Sequence, residues 1–152
     1  MRLALYQPDI AQNTGTILRL AACLGVAVDV IGPTGFDMTD KALRRAGLDY
    51  LDHVELVRHV SFDMFQQARD RSARLLLLSS HASARHTSFA FKPSDTLLLG
   101  RESAGVPQAV HDLADARIRI PMRPGLRSLN IAVAAAVVLG EALRQTSGFP
   151  EG

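Results

Sequence analysis

Short apolar runs alternate along the chain with segments in which apolar residues recur at helical spacing. Six runs have the length and composition of strands: 2–7, 26–31, 54–57, 74–79, 96–100 and 117–120. Helical patterns cover 13–24, 41–46, 62–68, a short stretch after Pro107 and a final segment from 128 to about 145. This alternation predicts an α/β fold with a mostly parallel sheet and helices on both faces.

Residues with special backbone preferences mark the ends of these segments. Asn13 is expected to cap the first helix and Gly25 to end it, and Gly47 ends the second. At the final helix Ser128 is the candidate cap, while Asn130 either orients a polar group or supports that cap. No internal repeat or linker divides the chain, so we expect one domain over 1–152.

Composition narrows the class of protein further. A chain of 152 residues that is 47% hydrophobic builds a sizeable core. Its longest apolar runs, 75–78 and 131–139, fall far short of the roughly 20 residues of a membrane span, and no signal-like segment opens the chain. We therefore expect a cytoplasmic protein with no membrane partner. The single cysteine, Cys23, lies in a helical apolar pattern and is expected to be a small core residue.

The final helix is apolar on almost every side between Leu129 and Leu139. A helix at the surface of a monomer would carry a polar face. In so small a protein, a second subunit is expected to cover the apolar surface of this helix, and we expect a homodimer.

The net charge is only +2, since the chain has 17 basic and 15 acidic residues, and it therefore says little about the binding partner. Only Lys41 and Lys92 among the basic residues are lysines, and the others are arginines. Arginine suits bidentate contacts with phosphate and stacking on bases. Evidence for a nucleic-acid partner therefore has to come from where the basic residues lie along the chain, and not from their number.

Three segments place glycine, proline or small polar residues after apolar strands: 97–107, 118–122 and 128–136. Ligands of open α/β sheets bind outside the carboxyl ends of the strands, so we predict a pocket built largely of backbone groups. The glycine loop 100–105 is no P-loop, since Val106 and Pro107 replace its Lys and Ser/Thr. His81 and His86 have no further ligand at metal spacing, and no metal is expected.

Four motifs in this order resemble the SPOUT superfamily of RNA methyltransferases, most closely its short YibK/TrmL-type tRNA 2′-O-methyltransferases. They lie at 13–19, 40–50, 100–107 and 120–130, and the resemblance covers residues 1 to about 145. It implies a C-terminal trefoil knot, S-adenosylmethionine as cofactor and a homodimer packed partly through the last helix.

Carried over by position, the cofactor contacts of this family fall at Leu78, Gly100, Ile120, Met122, Ser128 and Leu129. Gly100 lets the backbone approach the ligand, and a branched side chain there is expected to enter the adenine site. Arg101 follows, where it either reaches the substrate or pairs with Glu102.

The resemblance also implies catalytic residues, here Arg19 near Asn13. A ribose 2′-hydroxyl is a poor nucleophile until its proton leaves. Because an arginine stays protonated, we expect Arg19 to hold the adjacent phosphate and stabilise the developing alkoxide instead of acting as a base.

RNA contacts are expected from basic residues on a short helix and around the pocket: Lys41, Arg44, Arg45, Arg58, His59, Arg123 and Arg127. Tyr50 either stacks on a base or packs in the core.

The resemblance implies an enzyme that methylates the wobble ribose of tRNA, a cytidine or modified uridine in leucine isoacceptors. The alternatives are a SPOUT methyltransferase for ribosomal RNA or another tRNA position, and a non-catalytic RNA-binding homologue.

Overall fold

The computed structural model describes residues 1–152. Its strands are Arg2–Tyr6 (β1), Ala27–Ile31 (β2), Leu56–His59 (β3), Leu75–Leu78 (β4), Ala84–Arg85 (β5), Thr96–Leu99 (β6) and Ala116–Arg119 (β7). Its α-helices are Ala11–Leu24 (α1), Lys41–Gly47 (α2), Phe62–Ala68 (α3), Gln108–Leu113 (α4) and Ile131–Thr146 (α5). Short 3₁₀ helices cover Leu48–His53 and His86–Ser88.

The seven strands form one sheet in the order β3-β2-β1-β6-β4-β7-β5, and every neighbouring pair is parallel. Two late strands are inserted among earlier ones, since β6 lies between β1 and β4, and β7 lies between β4 and β5. Because all strands run the same way, the loops that follow β1, β4, β6 and β7 meet at one edge. The prediction of a parallel α/β sheet is confirmed.

Alternate residues of the central strands pack on opposite faces of the sheet. Leu76 contacts a cluster that includes apolar residues of α1, α2 and α5. Leu75 and Leu77 belong to a second cluster with Phe65 of α3 and Val110 of α4. The run 75–78 is therefore apolar throughout because both of its faces are covered.

Two strand predictions were incomplete. β3 begins two residues later than the 54–57 run, because its register pairs Leu56 with Val28 and His59 with Ile31. The sequence pattern also missed β5, which has only two residues and lies at the sheet edge against β7. Such a short strand depends on its neighbour and leaves no periodic pattern.

Both predicted N-caps were wrong. α1 begins at Ala11, so Asn13 lies inside its first turn, whereas Gly25 ends it in a left-handed conformation as expected. Ser128 is exposed in the loop before α5, and the cap is Asn130, whose Oδ1 accepts from the backbone N–H groups of Ala132 (2.9 Å) and Val133 (3.4 Å).

The exposure of residues on α1 and α5 bears on two expectations, the core position of Cys23 and the apolar surface of the final helix. Cys23 is exposed on α1 and is not a core residue. α5 buries one side against the sheet but leaves Val133 49% and Val137 40% exposed. No helix has the length and apolarity needed to cross a bilayer.

Candidate functional site

A cleft of about 830 Å³ opens at the carboxyl edge of the sheet, between the loops after β4, β6 and β7 and the first turns of α1 and α5. It is lined by all six residues to which the resemblance assigns cofactor contacts: Leu78, Gly100, Ile120, Met122, Ser128 and Leu129. Asn13 and Asn130 line it as well. Residues from both ends of the chain thus meet here because β6 and β7 are inserted among the earlier strands.

The glycine loop after β6 forms one wall of the cleft. It closes on itself through two backbone hydrogen bonds of 2.9 Å between Arg101 and Gly105, which has φ +63°. A Cβ on Gly100 would lie 2.7 Å from the carbonyl carbon of Gly105. Gly100 is therefore needed to close the loop, and a side chain there would first meet the backbone of Gly105.

A polar network crosses the cleft from this loop to the start of α5. The backbone N–H of Asp9 donates to Glu102 Oε2 (3.0 Å), and Asn13 Nδ2 donates to Glu102 Oε1 (3.5 Å). Asn130 Nδ2 donates to Asn13 Oδ1 (3.0 Å). Both ends of the Asn13 amide are therefore held, and its orientation is set by a carboxylate on one side and an amide on the other.

The two carboxyl groups of this network titrate in opposite directions. Burial, with the neighbouring Asp9 carboxyl, raises the pKa of Glu102. Hydrogen bonding, chiefly with Glu102 and then with Ser103, lowers the pKa of Asp9 to about 2. As pH falls, Glu102 therefore takes up a proton before Asp9 does. The sequence identified Glu102 only as a possible partner of Arg101 and did not identify Asp9, because the contact between them joins segments 93 positions apart.

Arg101 pairs with the start of the chain and not with Glu102. Its guanidinium lies 3.6 Å from Asp9 Oδ2 and donates to Gln7 Oε1 at 3.4 Å. Of the two roles considered from the sequence, pairing with Glu102 is thus excluded. The contacts tie the glycine loop to the segment that follows β1.

Arg19 does not line the cleft of its own chain, although it lies on the same helix as Asn13. Six residues along an α-helix correspond to about 9 Å along the axis and about 120° around it. Arg19 is exposed, and its guanidinium stacks over the ring of Tyr50, 4.8 Å from the centroid. Within one chain, Arg19 and the cleft are therefore separate.

The predicted RNA-binding residues divide into exposed and buried groups. The exposed ones form no ion pair within 4 Å: Lys41, Arg44, Arg45, Arg58, Arg123 and Arg127. His59 does not belong with them, because its side chain is 7% exposed and its Nε2 lies 2.8 Å from Asp29 Oδ1. Its ring also packs edge-on against Phe65. His59 is a buried structural residue.

Comparison with known proteins agrees with this architecture. The profile of the SpoU rRNA Methylase family matches residues 1–140. A protein of Beijerinckia indica named tRNA (cytidine(34)-2′-O)-methyltransferase is 63% identical over 148 residues, which cover 97% of this chain and 92% of the relative.

Two solved structures share the fold. One, described as "Structural insights into the 2-OH methylation of C/U34 on tRNA", has a TM-score of 0.93 at 44% identity and covers 97% of this chain and 96% of its own. The SpoU methyltransferase AviRb of Streptomyces viridochromogenes, in complex with the cofactor AdoMet, has a TM-score of 0.86 at 30% identity, with 95% and 60% covered. These matches confirm the resemblance carried by the four sequence motifs, and the chain belongs to the SpoU rRNA methylase family of SPOUT methyltransferases.

Proposed function

We propose that this protein transfers a methyl group from S-adenosylmethionine to the ribose 2′-oxygen of nucleotide 34 in tRNA. The substrate nucleotide is a cytidine or modified uridine in leucine isoacceptors, and the reaction takes place in the cytoplasm, where tRNA is used. One observation carries the proposal: a single cleft gathers backbone at three strand ends beside a fixed polar network. The high identity to a tRNA methyltransferase supports position 34 over a ribosomal substrate.

The cleft suits the cofactor in size and in chemistry. Its volume of about 830 Å³ lies within the range of small-molecule sites. Apolar side chains of Leu78, Ile120, Met122 and Leu129 offer walls for an adenosine, and the backbone near Gly100 offers hydrogen-bonding groups. When bound, S-adenosylmethionine supplies an activated methyl group on a sulfonium. The protein then has to orient the ribose and help its 2′-hydroxyl to lose a proton.

Asn13 is the residue that we assign to orienting the ribose. It lies at the cleft, and its amide is held between Glu102 and Asn130. Glu102 is the only carboxylate among the residues that line the cleft, and we assign it a positioning role through Asn13. A preorganised amide needs little rearrangement when the ribose arrives.

Variants of Asn130 separate its capping role from its contact with Asn13. Asn130→Asp keeps a cap oxygen but no longer donates to Asn13, and a flip of the Asn13 amide would turn its oxygen toward Glu102. We expect near-normal stability with a methyl-transfer rate about tenfold lower, the loss of one hydrogen bond. Asn130→Ala should lower the rate similarly and also lose about 1 kcal/mol of stability. Thermal unfolding and single-turnover rates measure both. A full rate in Asn130→Asp would contradict the role of the contact.

A homodimer accounts for the exposed side of α5 and for the position of Arg19. α1 packs on α5 within one chain, and in the dimer that we propose the second copy covers Val133 and Val137 and places its own α1 beside the cleft. We assign the phosphate next to the reacting ribose to the partner subunit's Arg19. The insertion of β6 and β7 among earlier strands supports the trefoil knot implied by the resemblance.

A charge on the exposed side of α5 tests this dimer. Val137 is 40% exposed, and Val137→Glu should yield monomers or insoluble protein, because a carboxylate would be buried at the interface without a partner. Light scattering across micromolar concentrations measures the mass. Val60→Glu is the matched control, since Val60 is 85% exposed in the loop after β3 and should leave the dimer intact. A monomeric wild-type protein would contradict the dimer.

Mass spectrometry of RNA from cells with and without the gene tests the proposed function. We expect one ribose methylation, at nucleotide 34 of leucine tRNAs, to disappear on deletion and to return with the purified protein and S-adenosylmethionine. Loss of a methyl group from ribosomal RNA or from another tRNA position would instead support the enzyme alternative. No lost methylation, together with RNA binding, would indicate a non-catalytic homologue.

A further inference from the structure

A second, smaller cleft adjoins the first and carries a concentrated positive charge. It measures about 640 Å³ and shares part of its rim with the larger cleft, including His81, Arg119 and Ser128. The residues that line only the smaller cleft include Arg123 and Arg127. No acidic residue lines it. Three arginines therefore line one space next to the site proposed for methyl transfer.

The two arginines of β7 differ in their contacts. The Arg117 guanidinium donates to the carbonyl oxygens of His111 (2.6 and 2.9 Å) and Ala114 (3.2 Å) at the end of α4. Arg119 lies two residues further along the same strand and makes no side-chain hydrogen bond or ion pair in the structure. It is nevertheless half-buried at the junction of the two clefts.

A like charge stands directly beside Arg119. The register of the sheet pairs Arg119 with Arg85 of β5, so both side chains leave the same face of the sheet. Neighbouring like charges repel each other, and neither arginine forms an ion pair here. A bound anion would offset this repulsion.

We propose that the smaller cleft is an oxyanion site centred on Arg119 and that it holds a phosphodiester group of the RNA beside the reacting ribose. This inference rests on the proposed methyl transfer to RNA. Guanidinium groups match phosphate oxygens through paired hydrogen bonds. The other available oxyanion is the carboxylate of the cofactor. We favour phosphate because Arg123 and Arg127 line only the smaller cleft and not the cleft proposed for the cofactor, and because consecutive phosphates of an RNA offer several charges to the three arginines.

The test pairs a charge change in the protein with one in the RNA. The probe is a synthetic tRNA anticodon stem-loop with one uncharged methylphosphonate linkage, placed in turn at each position near nucleotide 34. Arg119→Gln should bind the unmodified RNA about tenfold more weakly and lower the salt slope by about one. One linkage position should weaken binding to the wild type but have no further effect in Arg119→Gln. Arg123→Gln, in an exposed loop, provides a second variant should Arg119→Gln fail to fold.

Arg71→Gln is the matched control, because it removes the same charge from an exposed residue on the loop after α3. The proposal would be overturned if the effect of Arg119→Gln on RNA binding adds to the effect of every modified linkage. It would also be overturned if Arg119→Gln binds the RNA as tightly as Arg71→Gln does. Calorimetry with S-adenosylmethionine and with its decarboxylated analogue tests the other source of anion. If Arg119→Gln weakens binding of the first but not the second, the cleft holds the cofactor carboxylate and the phosphate assignment is wrong. The binding assay needs no methyl transfer, so a protein that binds RNA without methylating it contradicts the proposed function alone.

Discussion

Arg19→Ala should lower the single-turnover rate of methyl transfer at saturating tRNA by about 100-fold or more, the usual effect of removing one donor that stabilises developing negative charge. Affinity for S-adenosylmethionine should stay nearly unchanged, because Arg19 does not line the cleft. An interaction made mainly in the transition state lowers the rate without weakening ground-state binding. A titration of tRNA with calorimetry of the cofactor measures both quantities.

The neighbouring basic helix provides the control for Arg19. Arg44→Ala and Arg45→Ala remove exposed guanidinium groups of α2 that have no acidic partner. If these groups hold phosphates, the variants should bind tRNA more weakly and with a smaller salt dependence, yet recover most of the rate when tRNA is raised. A full rate in Arg19→Ala, or an irrecoverable loss in Arg44→Ala, would contradict the assigned roles.

Gly100→Ala should abolish measurable binding of S-adenosylmethionine, with a loss of about 100-fold or more in affinity. The added Cβ would lie 2.7 and 2.8 Å from backbone atoms of Gly105, so the loop between Gly100 and Gly105 has to open. Since this loop forms one wall of the cleft, the backbone groups proposed to read the cofactor would move with it. Calorimetry measures the affinity, and circular dichroism measures the fold.

Gly25→Ala separates this local effect from general destabilisation. Gly25 has φ +66° at the end of α1 and does not line the cleft, so an alanine there should lose about 1 kcal/mol of stability yet bind the cofactor normally. Unchanged affinity in a folded Gly100→Ala variant would show that the loop is not part of the cofactor site.

Mixed dimers connect the two predictions. If one subunit supplies the cofactor cleft and the other supplies Arg19, a mixture of Arg19→Ala and Gly100→Ala proteins should regain activity that neither has alone. One half of each hybrid dimer would then combine an intact loop with an intact arginine. Absence of rescue in hybrids verified by mass would place both groups in the same subunit.

The local pattern of the chain determined most of its elements. α3 lies at the predicted 62–68, because Ser61 caps it and its apolar residues recur at helical spacing. The run 74–79 predicted a strand in a sheet with helices on both faces, and the observed strand Leu75–Leu78 packs into apolar clusters on both of its faces. Gly25 ended α1 as expected because a left-handed residue is needed there. In each case, the residues that predict the element lie close together in the sequence.

Tertiary structure alone decided the contacts between distant segments. Asn130 rather than Ser128 caps α5, and the same side chain reaches Asn13, 117 positions away. His59 and Arg119 look alike as basic residues near strand ends, yet one is buried against Asp29 and the other has no partner in the structure. The sequence alone determined which strands end in loops of glycine, proline and small polar residues. The order of the strands decided which loops meet, because the insertion of β6 and β7 is set by long-range packing that leaves no periodic signal in the chain.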